Sequence, residues 1–211
     1  MMSGSVWQET LDEFVAQLGS AKPTPGGGAV AALSACLAAS LLEMVLQITA
    51  RAHPSAEARL AVVQTQLIEL RRSVDQDIES FNRFLDARRM PQLTEVEQTR
   101  RKDLQRSALQ RCTEVPLAAA QSALKLVPIA RDLVGLAPAK VLSDVGVALA
   151  QLDSGLLGLL LNVNINLQGT ASDPAFQQMH AQRDGLAGEV VSARQELATA
   201  IDLITRKITE S

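Results

Sequence analysis

The sequence predicts an all-α protein: a single-domain bundle of long antiparallel helices, spanning residues 1–211. Three observations carry this expectation. Ala and Leu, the leading helix formers, fill more than a quarter of the 211 positions. The strand-favouring aromatics amount to only 2% of the chain, and Tyr is absent. Where the apolar pattern is clearest, as in Val63, Leu67, Leu70 and Val74, it advances by three- and four-residue steps rather than by alternation.

Each element has its own signal. Leu11, Phe14, Val15 and Leu18 share a face and predict a first helix from about Ser5 to Leu18, stopped by Gly19. Gly19 to Gly28, with two prolines and three consecutive glycines, reads as a loop. A second helix from Gly28 to about Arg51 is apolar nearly all round, the pattern of a helix buried on every side. Its stripe of Ala31, Ala35 and Ala39 admits the close approach of another backbone, and burial this complete in so short a chain points to an oligomer interface. Pro54 and Ser55 open a third, long helix that reaches about Arg89. Thr94 and Glu97 have capping-box spacing and start a fourth, which Pro116 and Pro128 should kink or divide and Pro138 should end. A fifth helix is expected from Ser143 to Gly169. Asp173 followed by Pro174 reads as an N-cap with proline at the first helical position, opening the last helix.

Composition also excludes functions. A net charge of −3 and few aromatics argue against nucleic-acid binding, which needs cationic patches and stacking platforms. The most apolar stretch, Ala29 to Leu42, is shorter than the roughly 20 residues that cross a bilayer, so no membrane association is expected. The first residues lack a basic stretch followed by an apolar run, so no signal peptide is expected either. With only Cys36 and Cys112 there is no disulfide scaffold, and a reducing, cytoplasmic location follows. Cys36, among alanines, reads as a small buried hydrophobe. No Cys/His/Asp cluster has metal-ligand spacing, and His53 and His180 are far apart in sequence.

Three features could carry chemistry. The first is the run Pro23-Thr24-Pro25-Gly26-Gly27-Gly28 at the head of an apolar helix. Free N–H groups at a helix start bind anions or carbonyl oxygens, although glycine there also suits a plain tight loop. The second is Asp77, which stands on the apolar seam between Val74 and Phe81, whereas Asp75 and Glu79 point elsewhere. Desolvation there would raise its pKa and suit it to proton transfer near neutral pH. The same position also fits a structural aspartate paired with an arginine or capping a neighbouring helix. The third is the polarity of the fifth helix, with Ser143-Asp144 at its start and Asn162 and Asn166 on one face near its end. Buried amides can read a heterocycle edge or tie helices together, and Ser143-Asp144 can serve as an N-cap.

These segments, taken together, resemble the cyclodeaminase family. That family includes the C-terminal domain of formiminotransferase-cyclodeaminase and stand-alone methenyltetrahydrofolate cyclohydrolases. The resemblance runs through Pro23-Thr24-Pro25-Gly26-Gly27-Gly28-Ala29-Val30-Ala31-Ala32 and Asp75-Gln76-Asp77-Ile78-Glu79-Ser80-Phe81-Asn82. It resumes at Val115-Pro116-Leu117, Ser143-Asp144 and Asn162-Val163-Asn164-Ile165-Asn166-Leu167. It implies an all-helical dimer acting on one-carbon-substituted tetrahydrofolate, with or without a polyglutamate tail, and needing no tightly bound cofactor. It also implies that Asp77 is the catalytic aspartate. Pro25, Gly26, Gly27, Gly28, Arg51, Ser143, Asp144, Asn162 and Asn166 become the implied substrate contacts. Two positions depart from the family pattern: Ala52 stands where a second basic residue is usual, and Asn164 where many relatives carry Arg. The activity implied is closure of the methenyl bridge of formiminotetrahydrofolate with loss of ammonia. Methenyltetrahydrofolate cyclohydrolase is the alternative, and a non-catalytic folate-binding relative or helical scaffold is the competing class.

Overall fold

A computed structural model describes residues 4–50, 53–54 and 56–210. Among these the regular structure is helical: α1 (Leu11–Leu18), α2 (Gly27–Ala50), α3 (Ala56–Arg89), α4 (Glu95–Leu124), α5 (Val127–Leu136), α6 (Leu142–Leu167) and α7 (Gln177–Thr209), with short 3-10 turns at Val6–Gln8, Ala139–Val141 and Pro174–Phe176. The expected all-α architecture is thus observed.

The start of the chain is a strap rather than part of a long helix. Thr10 and Glu13 form a reciprocal capping box, so α1 begins at Leu11 and the preceding residues are free to turn. Only Phe14 of α1 is buried; Leu11, Val15 and Leu18, expected on the same packed face, are exposed. The strap is held to α3 by polar contacts. The Ser5 hydroxyl donates to Asp75 Oδ2 at 2.7 Å, and the Val6 N–H to Asp75 Oδ1 at 3.1 Å. Trp7 Nε1 donates to the Arg71 carbonyl, and the Arg71 guanidinium lies 4.4 Å from the Trp7 ring centre.

Helix α2 is the axis of the bundle, packed mainly between α6 and α3. Leu42, Val45 and Leu46 are fully buried, each worth about 2 kcal/mol of transfer free energy. The alanine stripe does admit a close backbone, and that backbone is α6 of the same chain. A Cβ on Gly158 would lie 2.7 Å from Ala31 Cβ, and one on Gly155 would lie 3.0 Å from the Ala35 amide nitrogen. The close approach to this stripe is therefore made within one chain, while Leu37 and Met44 on the same helix stay exposed. By length and composition α2 and the stretch Ala139–Leu167 would suffice to cross a membrane; much of their apolar surface is packed inside the bundle.

Two prolines behave differently. Pro128 falls at the first turn of α5, where no intrahelical N–H is needed, and marks the break after α4. Pro116 lies inside α4 without dividing it. A proline there leaves the carbonyl four residues back, that of Cys112, without its intrahelical donor. Asn166 of α6 supplies the replacement: its Nδ2 donates to the Cys112 carbonyl at 2.7 Å. The Thr94–Glu97 capping box forms as expected, whereas Asp173, accepting from the Ala175 N–H, caps the 3-10 turn Pro174–Phe176 rather than the last helix, which starts at Gln177 without a side-chain cap.

Candidate functional site

The site forms where the first turn of α2 meets α3. The loop before α2 is tied down by Pro25, which is buried, and by Thr24, whose hydroxyl donates to Asn82 Oδ1 of α3 at 3.1 Å. The Thr24–Pro25 peptide is cis. At the head of α2 the backbone N–H groups have no carbonyl partners inside the helix until Val30, whose N–H reaches the Gly26 carbonyl. That end therefore presents free donors and the positive pole of the helix dipole.

Asp77 is aimed at this end. A Cβ built on Gly28 would fall 2.1 Å from Asp77 Oδ1 and 2.6 Å from its Cγ, so the carboxyl occupies the space that any other residue at 28 would fill. Gly28 is there because the carboxyl approaches to within contact of its Cα. Burial pushes the Asp77 pKa up from 3.8 to about 6, opposed by the backbone N–H of Ala29, which hydrogen-bonds the carboxylate. Desolvation outweighs the helix end because the carboxyl has few donors. Asp77 is nonetheless half-buried rather than sealed, and Gly27 beside it is exposed, so a ligand can reach both.

The floor of the site is polar. The buried Ser80 hydroxyl donates to the Asp77 backbone carbonyl at 3.0 Å. Ser80 also reaches the Cys112 thiol, whose pKa is raised by burial first and secondarily by the Asp77 charge. Cys36, mid-way along α2, is buried and its thiol is pushed up to about 12, as suits an inert core residue. Among the described residues no group of three or more His, Cys, Asp or Glu side chains is gathered to hold a metal.

The structure brings together Pro25, Gly26, Gly27, Gly28 and Asp77, with Asn162 at the rim. Asn162 Nδ2 lies 4.0 Å from where a Cβ on Gly27 would sit, and it donates to the Gly158 carbonyl one turn back. Asn166 stands one step away, committed to Cys112 as described. Ser143 and Asp144 do not join this group. They occupy the first turn of α6, without capping it, and Asn162 lies 19 residues further on, roughly 28 Å at 1.5 Å per residue. Arg51 lies outside the described residues. Sequence reasoning missed Thr24, Ser80 and Asn82. Ser80, one turn from Asp77, carried a signal in its spacing, whereas the Thr24–Asn82 contact spans 58 residues and had none.

The geometry is that of a half-buried carboxyl with an elevated pKa set against the open end of a buried helix in an all-α bundle. The chain belongs to the formiminotransferase-cyclodeaminase family, whose model matches residues 10–184. It is 30% identical over 195 residues to a methenyltetrahydrofolate cyclohydrolase of Methylorubrum extorquens, covering 90% of this chain and 94% of that one. It is 31% identical over 194 residues to the formimidoyltransferase-cyclodeaminase of Mus musculus, there covering 88% of this chain but 35% of the longer protein. The fold matches a crystal structure of formiminotetrahydrofolate cyclodeaminase from Thermotoga maritima with a TM-score of 0.80, over 95% of this chain and 99% of that one, at 21% sequence identity.

Proposed function

We propose that this protein is an enzyme of folate one-carbon metabolism that closes the methenyl bridge of formiminotetrahydrofolate with release of ammonia. The observation that carries this reading is Asp77, a carboxyl of pKa about 6 held against the start of α2. In the reaction N10 attacks the carbon of the formimino group, whose nitrogen is protonated, and loses its own proton to the Asp77 carboxylate. Asp77 then returns that proton to the departing nitrogen, which leaves as ammonia. The positive charge stays on the methenyl bridge, so charge and atoms balance. A group of pKa near 6 both accepts and donates within one cycle near neutral pH. Binding supplies the rest by holding N10 against the carbon, with the free N–H groups of Gly27 and Gly28 available to a substrate oxygen.

Hydrolysis of methenyltetrahydrofolate is the second reading, favoured by the stand-alone cyclohydrolase that this chain matches nearly end to end. Water then replaces N10 as the group that Asp77 deprotonates. The two are separated by following methenyltetrahydrofolate absorbance alongside ammonia. Appearance of both from formiminotetrahydrofolate supports cyclodeamination, and loss of the methenyl signal without ammonia supports hydrolysis. Neither activity from folded protein overturns both readings.

The reading includes a cytoplasmic homodimer without a tightly bound cofactor or metal, and without nucleic-acid or membrane partners.

A further inference from the structure

Beside the Asp77 site, between the end of α6 and the start of α7, lies a cleft of about 610 Å³ whose lining includes Leu161, Asn162, Ile165, Gln168, His180 and Arg183. Its volume is that of a small-molecule site. Asn162 belongs to both places: it lines the cleft and lies against Gly27, one residue from the glycine that Asp77 touches. Leu161 and Ile165 are 57% and 62% exposed, so the wall between the site and Arg183 is open apolar surface.

Arg183 carries the one fixed positive charge among the residues lining this cleft. Its Nε donates to Asp184 at 2.7 Å and its Nη1 to Asn164 Oδ1 at 3.3 Å, so the guanidinium is held in place, while Nη2 makes no hydrogen bond with the described residues. Asp184 is 71% exposed, so this ion pair is solvated and competes weakly with an incoming carboxylate. A planar guanidinium with a free edge is suited to a carboxylate.

We propose that this cleft receives the benzoyl-glutamate arm of the substrate, with its carboxylate on Arg183 and its aryl ring over Leu161 and Ile165. The inference rests on the folate reading above. A folate reacts at nitrogens between its pterin ring and its arm, so with those nitrogens at Asp77 the arm must leave through a neighbouring cleft. The rival exit is the cleft of about 390 Å³ between α3 and α4, which holds Arg83 and Arg111. Its arginines form solvated pairs with Glu79 and Glu114, as Arg183 does with Asp184, and Ser80 also borders it; what sets it apart is Asp86, which adds a negative charge to the lining that an incoming carboxylate would meet.

The test uses 5-formyltetrahydrofolate and a counterpart in which the glutamate is replaced by a neutral primary amide on the benzoyl group, so that no carboxylate remains, measured by calorimetry on the full chain. Wild-type protein should bind the glutamate-bearing compound about tenfold more tightly, and Arg183→Gln should erase that preference. Arg183→Lys should restore part of it, and an unchanged melting temperature would show that the variants are folded. In turnover, Arg183→Gln should raise KM about tenfold with kcat within twofold. A preference that survives Arg183→Gln overturns the inference, as does one lost only in Arg111→Gln. Tight binding without turnover by the wild type would defeat the catalytic reading and leave the arm's placement standing. Binding of neither compound would defeat both.

Discussion

Two aspartates two positions apart on α3, Asp75 and Asp77, have opposite environments. Asp75 faces the strap at the start of the chain, where the Ser5 hydroxyl and the Val6 N–H donate to its two oxygens. Asp77 faces the start of α2, where burial outweighs the single N–H of Ala29 and its pKa rises to about 6. Two positions along a helix rotate a side chain by about 200°, so neighbours in sequence stand on nearly opposite faces. The same side chain is thus tied down by two donors on one face of the helix and desolvated on the other.

The hardest way to break this contrast is at Asp77 itself. Asp77→Asn keeps the shape and an acceptor for the Ala29 N–H but removes the transferable proton. General acid–base groups contribute about 10²–10⁴-fold, so kcat in the methenyl-bridge assay should fall by about 10³-fold while the circular dichroism spectrum stays unchanged. Retained activity would show that Asp77 is another structural aspartate.

Gly28→Ala comes next. Its Cβ would fall inside the Asp77 carboxyl, and the Asp77 side chain is too short to move aside without leaving the helix end. The expected result is a loss of about 10²-fold in kcat/KM and, by overpacking, a stability loss of about 1–3 kcal/mol. Gly27→Ala, whose Cβ meets only Asn162 at 4.0 Å, is the matched control for folding and should cost far less stability.

The Asp77 pKa also makes a prediction about stability. Below pH 3.8 the carboxyl is protonated whether the chain is folded or not, and it costs nothing. Between 3.8 and about 6 the unfolded chain ionises while the folded one resists, so stability falls as pH rises. Above about 6 the cost is fully present, at most about 3 kcal/mol at 1.36 kcal/mol per pKa unit. Asp77→Asn removes it. The variant should therefore melt several degrees higher than wild type at pH 7 and no higher at pH 3. Equal melting temperatures at both pH values would show that Asp77 is not desolvated. If Asp77 carries the proposed chemistry, this cost is the usual compromise between stability and activity.

The contrast also explains what could be read from the chain alone. Asp77 was visible because a charge interrupted an apolar seam, and the glycine run was visible because three glycines seldom begin a buried helix without a reason. Ser143 and Asp144 were misleading for the single chain because sequence order gives no axial position. Only the antiparallel pairing of α6 with α2, with Asn162 against Gly27 and Gly158 against Ala31, puts them at the far end. Asn166 resembled a ligand contact until the gap left by Pro116 showed what it satisfies. Pro116 does not divide α4, and the donor that satisfies the carbonyl it strands lies 50 residues later on another helix, out of reach of local reading. The exposed Leu11, Val15 and Leu18 show the complementary limit, since periodicity identifies a face but not whether anything covers it.

The smallest expected effect is at Asp75, and it sharpens the comparison from the other side. Asp75→Asn leaves one oxygen to accept and offers an amide N–H where the Ser5 hydroxyl or the Val6 N–H now donates. Hydrogen bonds to a charged acceptor contribute about 1.5–3 kcal/mol, and this site is partly solvated, so a loss of about 1 kcal/mol is expected. Trp7, the only tryptophan in the chain, sits next to this contact with its ring against Arg71 and its indole N–H on the Arg71 carbonyl. Loosening the strap should therefore shift the Trp7 emission to the red at denaturant concentrations that leave the helical signal intact. Because the strap faces away from Asp77, kcat should stay within twofold of wild type. A drop in kcat comparable to that of Asp77→Asn would mean that the strap and the site act as one unit, and the division of labour between the two aspartates would fail.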